Sequence, residues 1–176
     1  MNEKDRKIQL IRAKIEEGQQ VIIFYHNLIK ALRGTPCFPD WEIGVYPQDS
    51  SLLDSIAAGE LWLCKQDGQI LGAMVLNRHA GDEYDRVTWG KTVPRGRYSV
   101  IHTLCVDPAS QGKGVAKAMV RHALQTAKAQ GDMALRLDVL KGNDPAVGLY
   151  TGCGFVYVDT VQMIYDDKGA PEFMLF

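Results

Sequence analysis

A chain of 176 residues, 46% hydrophobic and 23% charged, has the size and make-up of one soluble globular domain spanning residues 1–176. Such a domain buries roughly 70% of the surface its unfolded form would expose, enough for one core. With 20 basic and 21 acidic side chains the net charge is −1, so no global field draws in nucleic acid or an acidic membrane, and any anion site has to be local. No stretch approaches about 18 apolar residues and the first seven are polar and charged with no apolar run behind them, so a cytoplasmic protein is expected.

In chain order, a strand is expected at about 7–13 and a helix at about 16–32, whose stripe includes Val21, Phe24, Leu28 and Leu32 and which ends at Gly34. Segment 35–49 holds Pro36, Pro39 and Pro47, which disfavour regular structure, and it carries Phe38, Trp41 and Tyr46. Aromatic residues on such a loop read either as a lid over the core or as a wall of a ligand site. Asp49 is a good cap for a short helix at 50–58, closed by Gly59. Two strands at 61–65 and 70–77 flank Gln66-Asp67-Gly68-Gln69, a hairpin turn. Residues 78–97 then form a long connection, acidic at Asp82, Glu83 and Asp85 and basic at Lys91, Arg95 and Arg97. A connection of that length is usually functional or mobile.

The most informative segment follows. A strand-like run at 99–106 leads into Gln111-Gly112-Lys113-Gly114-Val115-Ala116, and an amphipathic run at 113–130 carries Ala116, Met119, Val120, Ala123, Leu124 and Ala127 as one stripe before Gly131 stops it. A helix start leaves about four backbone N–H groups without partners and carries roughly half a positive charge. Glycines at 112 and 114 let that turn wind tightly against a pyrophosphate. Two competing phosphate cradles fail. A Walker loop needs a hydroxyl after its lysine, and Lys113 is followed by Gly114; a dinucleotide fingerprint needs a small residue where Lys117 stands and an acid after the next strand, whereas Asp132 precedes it. That strand lies at about 133–140. Pro145, with Asp144 as cap, opens a short helix carrying Tyr150, and strands at 154–165 and 172–176 joined through 166–169 complete a sheet.

Gln111-x-x-Gly114-x-Ala116 resembles the acyl-CoA signature of the GNAT superfamily of N-acetyltransferases, Gln/Arg-x-x-Gly-x-Gly/Ala. Upstream, 101–108 looks like the family's fourth strand. Downstream, Asn143-Asp144-Pro145-Ala146, Leu149-Tyr150 and Gly154-Phe155 are similar to its Asn-x-x-Ala-x-x-Leu-Tyr-x-x-x-Gly-Phe block. The match covers about residues 99–156. It implies an α/β fold with a mixed, mostly antiparallel central sheet and an acyl-CoA-binding core of fourth strand, long helix, fifth strand and short helix. It also implies acetyl-CoA as cosubstrate, with N–H groups of Gln111, Gly112, Lys113, Gly114, Val115 and Ala116 on the pyrophosphate. Leu104 and Val106 would lend main-chain groups to the pantetheine arm, and Asn143 would touch it as well. Lys113, Lys117 and Arg121 are candidates for the nucleotide phosphates. Tyr150 would be the acid that protonates the departing thiolate, and the acceptor would be a primary amine of a small molecule or a peptide. In this family the connection at 78–97 often helps define the acceptor site; a solvated loop or a homodimer contact stays open. So does the alternative that the chain senses acyl-CoA without catalysis.

For the base, strand alternation predicts that His102 shares a face with Leu104 and Val106, beside the thioester, and titrates between about 6 and 7.5. His79 and Glu83 are the other candidates. The cysteines at 37, 64, 105 and 153 lack metal-ligand spacing and read as small buried hydrophobes, with an acyl carrier role for Cys105 as a minor alternative.

Overall fold

The computed structural model describes residues 8–163 and 169–176. Seven strands form one sheet in the order β1-β2-β3-β4-β5-β7-β6: β1 (Gln9–Arg12), β2 (Leu61–Gln66), β3 (Gln69–Asn77), β4 (Tyr98–Val106), β5 (Ala134–Leu140), β6 (Asp159–Gln162) and β7 (Glu172–Leu175). Every neighbouring pair is antiparallel except β4 and β5. The expected mixed, mostly antiparallel sheet is therefore the one that forms. The β2–β3 hairpin turns through Asp67 and Gly68, both at positive φ, as a two-residue loop between right-twisting strands demands.

Helices α1 (Gly18–Leu32) and α2 (Asp49–Ala57) cover one face of the sheet; α3 (Val115–Ala129) and α4 (Asp144–Gly152) cover the other. The first core joins Val21, Tyr25, Leu28 and Leu52 to Leu63, Val75 and Cys105. The second joins Met119, Val120 and Ala123 of α3 to Met74, Ile101, Leu137 and Tyr150. Two details of helix patterning differ from expectation. On α1 it is Tyr25 that is fully buried, while Phe24 lies at the margin; on α3 Leu124 is 37% exposed and Val115 is buried instead. Both shifts stay within the width of an apolar face. Gln48, not Asp49, precedes α2, and Asp49 in its first turn meets the Nε2 of His26 at 2.8 Å.

The β4–α3–β5 unit places its helix on the second face. Close approach there depends on Gly72 of β3, where a Cβ would stand 2.7 Å from the Met119 sulfur and 2.9 Å from the Cys105 carbonyl oxygen. The expected strand at 154–165 is shorter, and residues 164–168, including most of the expected turn before β7, lie outside the described residues. No helix among the described residues is long and apolar enough to cross a membrane.

Candidate active site

Strand β4 carries an irregularity that organises the site. Ala73 pairs with Cys105 and Val75 with His102, so Met74 stands opposite both Thr103 and Leu104, and Thr103 sits at φ 48°. One extra residue in a strand exchanges the faces beyond it. Tyr98, Val100 and His102 consequently point to the face of α1 and α2, whereas Leu104 and Val106 point to the face of α3. The alternation expected for His102 does not hold: it lies on the opposite face from Leu104 and Val106. A threonine carries no sequence signal for a positive φ, which is why the pattern misleads.

Beyond the bulge the two parallel strands part. Their pairing runs from Tyr98 with Ala134 to Ile101 with Leu137 and stops; from Asp138 onward β5 pairs with β7. The outer edge of β4 past Ile101 thus presents main-chain groups with no neighbouring strand, the edge that an extended ligand could complete. The split opens a cavity of about 330 Å³ lined from both faces of the sheet. Leu104, Asn143, Ala146 and Tyr150 line it from the side of α3 and α4, and His102, Asp138, Trp41 and Tyr46 from the other. Of the residues expected at the site, Leu104, His102, Asn143 and Tyr150 are brought to this one cavity; Val106 and 111–116 follow along the chain from the same strand end.

The turn at the start of α3 has the geometry of an anion cradle. Gly112 and Gly114 have φ of 72° and 81°, a left-handed conformation that glycine adopts without penalty. Within the turn the Gln111 N–H reaches the Pro108 carbonyl at 3.3 Å, and the first helical bond runs from Ala118 to Gly114 at 3.0 Å. The N–H groups of 112–116 have no backbone acceptor among the described residues. No side chain stands within 4 Å of where a Cβ on either glycine would be, so space for a diphosphate exists in front of them. The residues present fit an acyl-CoA pyrophosphate.

Tyr150 is 7% exposed, its ring packed edge-on against Phe155 at 5.8 Å, and burial raises its pKa well above the ordinary phenol value. Tyr150 lines the cavity. Asn143, and not Asp144, caps α4: its Oδ1 accepts from the Ala146 N–H at 3.2 Å, and the residue lines the cavity. Cys105 is fully buried, with its thiol directed at the Ala73 carbonyl and its pKa pushed up to about 12 by burial, so it is not an acyl carrier.

His102 is held by a chain of polar groups. The Glu60 carboxylate accepts from Asn77 Nδ2 at 2.9 Å; Asn77 Oδ1 accepts from the His79 N–H at 3.0 Å and from His102 Nε2 at 3.1 Å; the His79 carbonyl accepts from the same Nε2 at 3.0 Å. Two acceptors facing Nε2 require the proton there, and Nδ1 is left with its lone pair. Burial lowers the His102 pKa, opposed by the attraction of the Asp138 carboxylate.

Asp138 is the site residue that the sequence reading missed. It follows Leu137 on β5 as His102 follows Ile101 on β4, on the same face, and Tyr84 donates to its Oδ2 at 2.7 Å. Burial raises its pKa, countered by that hydrogen bond and by His102. The signal was available in Leu135-Arg136-Leu137-Asp138-Val139, whose alternation puts Arg136 and Asp138 on one face.

The connection at 78–97 supplies no lining residue to the cavity. It is tied down instead: Arg95 pairs with Asp85 at 2.7 Å and donates to the Ala80 carbonyl at 2.8 Å, Trp89 stacks on Tyr84, and the Arg136 guanidinium lies 3.7 Å over Trp89 and 4.0 Å over Tyr98. Its contribution to the site is indirect, through Tyr84 and the His79 carbonyl. The proline-rich loop supplies part of the cavity wall and at the same time packs Trp41 against Tyr25 at 6.1 Å, over the core as one of its two expected readings had it.

Comparison with known proteins agrees with this geometry. The model of the acetyltransferase (GNAT) family matches residues 27–155. The chain is 33% identical over 75 residues to the N-alpha-acetyltransferase RimI of Mycobacterium tuberculosis, covering 43% of this chain and 46% of that protein. It spans less than half the length of the curated relatives it matches. Among solved structures, a GNAT-family acetyltransferase of Streptococcus agalactiae superimposes with a TM-score of 0.72 at 17% identity, over 96% of this chain and 94% of that one. Arabidopsis thaliana NAA60, solved in complex with acetyl-CoA, does so with a TM-score of 0.69 at 15% identity, over 97% and 98%.

Proposed function

Since the chain belongs to the GNAT family of acetyltransferases, we propose that it moves an acetyl group from acetyl-CoA to a primary amine by direct transfer. The observation that carries this reading is the cavity between the diverging ends of β4 and β5, which opens to both faces of the sheet and has Tyr150 on one side and His102 with Asp138 on the other. A donor bound along β4 from the α3 side and an acceptor entering from the proline-rich loop would meet there in line. The acetyl-CoA complex of the structural neighbour and the amine chemistry of the RimI relative support the same assignment.

Each residue then has a task. The N–H groups of Gln111 to Ala116 hold the pyrophosphate, with Lys113, Lys117 and Arg121 near enough in sequence to serve the remaining phosphates. Leu104 and Val106 pair the pantetheine amides through the main chain, and Asn143 donates its side-chain amide. An amine with the pKa of lysine, near 10.4, costs about 4.6 kcal/mol to hold neutral at pH 7, so a proton acceptor is needed. His102 Nδ1 takes that proton and Asp138 stabilises the imidazolium. As the tetrahedral adduct collapses and the C–S bond breaks, the Tyr150 hydroxyl gives its proton to the sulfur. Burial keeps Tyr150 protonated until the C–S bond breaks, so its proton is in place for the leaving sulfur.

The test is a panel of primary amines with acetyl-CoA, following free thiol and the mass of the acetylated amine. Amine-dependent thiol release supports transfer. Saturable acetyl-CoA binding with no amine turned over identifies a sensor instead.

A further inference from the structure

The turn after β3 decides which nitrogen of His102 carries the proton. Asn77 is the last residue of β3, and its Oδ1 accepts from the N–H of His79, two residues on, at 3.0 Å, a turn that asparagine closes by standing in for a main-chain carbonyl. That turn aims the His79 carbonyl at His102 Nε2, 3.0 Å away, beside the 3.1 Å contact between the same nitrogen and Asn77 Oδ1. The Asn77 amide has a single orientation here. The His79 N–H can only donate and the Glu60 carboxylate, just before β2, can only accept, so Oδ1 faces His79 and His102 while Nδ2 faces Glu60 Oε2 at 2.9 Å. His102 therefore meets two fixed acceptors at Nε2. Asn77, Glu60 and His79 line a second cavity of about 490 Å³, which among the described residues shares no lining residue with the one where transfer would occur, so the three act on the amine only through His102.

We propose that Asn77 is a positioning residue for the reaction: with Glu60 as its anchor, it fixes the His102 tautomer that presents Nδ1 as the proton acceptor for the amine. This rests on the transfer reading above, with His102 as the base. A neutral imidazole free of these contacts exchanges its proton between the two nitrogens, and a ring protonated on Nδ1 would offer the amine a donor in place of a lone pair. In the fixed tautomer the amine proton goes to Nδ1, and the imidazolium so formed keeps its Nε2 proton on Asn77 and His79. The charged and titratable groups around the ring are Asp138 on β5 with Glu83 beyond it, His79 and Glu60, while Asp40 and Tyr150 line the same cavity. Asp138 acts on how strongly the ring holds a second proton; Asn77 acts on where the first one sits.

Nitrogen NMR on protein labelled in its histidine rings reads the tautomer without turnover, because a protonated ring nitrogen and one with a lone pair resonate far apart, and His102→Gln assigns the signal. Above the acidic limb the wild type should show Nε2 protonated and Nδ1 bare. Asn77→Leu keeps the size of the side chain and deletes its hydrogen bonds. The ring protonated on Nδ1 should then become populated and kcat should fall roughly tenfold or more, part of the about 10²–10⁴ that a base contributes, with KM for the amine and acetyl-CoA affinity within about twofold. A double variant, Asn77→Asp with Glu60→Gln, exchanges the two roles at constant charge: the carboxylate accepts from His79 and from Nε2, and the glutamine amide donates to it. It should keep the wild-type tautomer. Because the negative charge now touches the Nε2 proton, the imidazolium is stabilised and the acidic limb of kcat/KM should move to higher pH by roughly one unit or more. A wild-type ring protonated on Nδ1, or an Asn77→Leu ring that keeps the wild-type tautomer, overturns the proposal. A double variant whose limb stays in place overturns it as well, and does so even if Asn77→Leu does not fold. Acetyl-CoA bound with no amine turned over by the wild type overturns the transfer reading instead, and the nitrogen spectra of the same samples tell that failure apart from one at Asn77.

Discussion

The hydroxyl of Tyr25 on α1 donates to the main-chain carbonyl of Thr103 on β4 at 3.0 Å, across a separation of 78 residues. Thr103 is the residue at φ 48° in the bulge, a conformation that costs a β-branched residue on the order of 1–2 kcal/mol. Such a conformation persists only where its surroundings enforce it, and Tyr25 is one of the enforcing groups. The bulge in turn sends His102 to one face and Leu104 to the other, so this hydrogen bond links the packing of α1 to the placement of both ends of the reaction.

Tyr25→Phe keeps the ring and deletes the donor. The loss expected in urea denaturation is about 1–2 kcal/mol, that of one buried carbonyl left unpaired. Turnover should fall with it, because relaxation at Thr103 disturbs His102. Full stability and full turnover in the variant would mean that the bulge is held by β3 alone.

Gly114 is the residue before α3 and has φ 81°. Gly114→Val forces a branched side chain into that conformation and stands it before the unpaired N–H groups. Stability is expected to drop by about 1–2 kcal/mol from backbone strain alone. Acetyl-CoA affinity, set at a micromolar dissociation constant or about −8 kcal/mol for the wild type, should weaken at least tenfold more than Gly34→Val, which meets the same strain at φ 78° far from the cradle. Equal calorimetric affinity in the Gly114 and Gly34 variants would remove the cradle assignment.

For His102 the direction of the pKa shift fixes the sign of the pH effect. A base must be unprotonated to act, and burial lowers the His102 pKa from its ordinary 6.5, so the acidic limb of kcat/KM should lie below pH 6.5. His102→Gln should flatten that limb and leave acetyl-CoA affinity unchanged. A variant that keeps the limb intact would clear His102, and Asp138, whose pKa burial raises, would be the next group to test.

Much of the donor side was legible because its determinants are local. Glycines at 112 and 114 act through their own backbone conformation, and a sequence displays that directly. The fold followed from the same blocks. The acceptor side was not legible for a different reason: it depends on where two strands part and on a bulge at Thr103, and both are set by pairing partners distant in sequence. His102 was placed on the wrong face, Asp138 was passed over on a strand that reads as core, and of the two loops considered for the acceptor side the one at 35–49 lines the cavity while the one at 78–97 does not.

Tyr150→Phe tests the central claim most directly, because it removes one hydroxyl from the junction of the two half-sites and nothing else. Acetyl-CoA affinity and amine-dependent thiol release should be measured on the same preparation. The expected result is unchanged affinity with kcat lowered by about 10²-fold or more, the lower range for losing one acid–base partner. Unchanged kcat with an accepted amine would contradict the account and reduce Tyr150 to a packing residue beside Phe155.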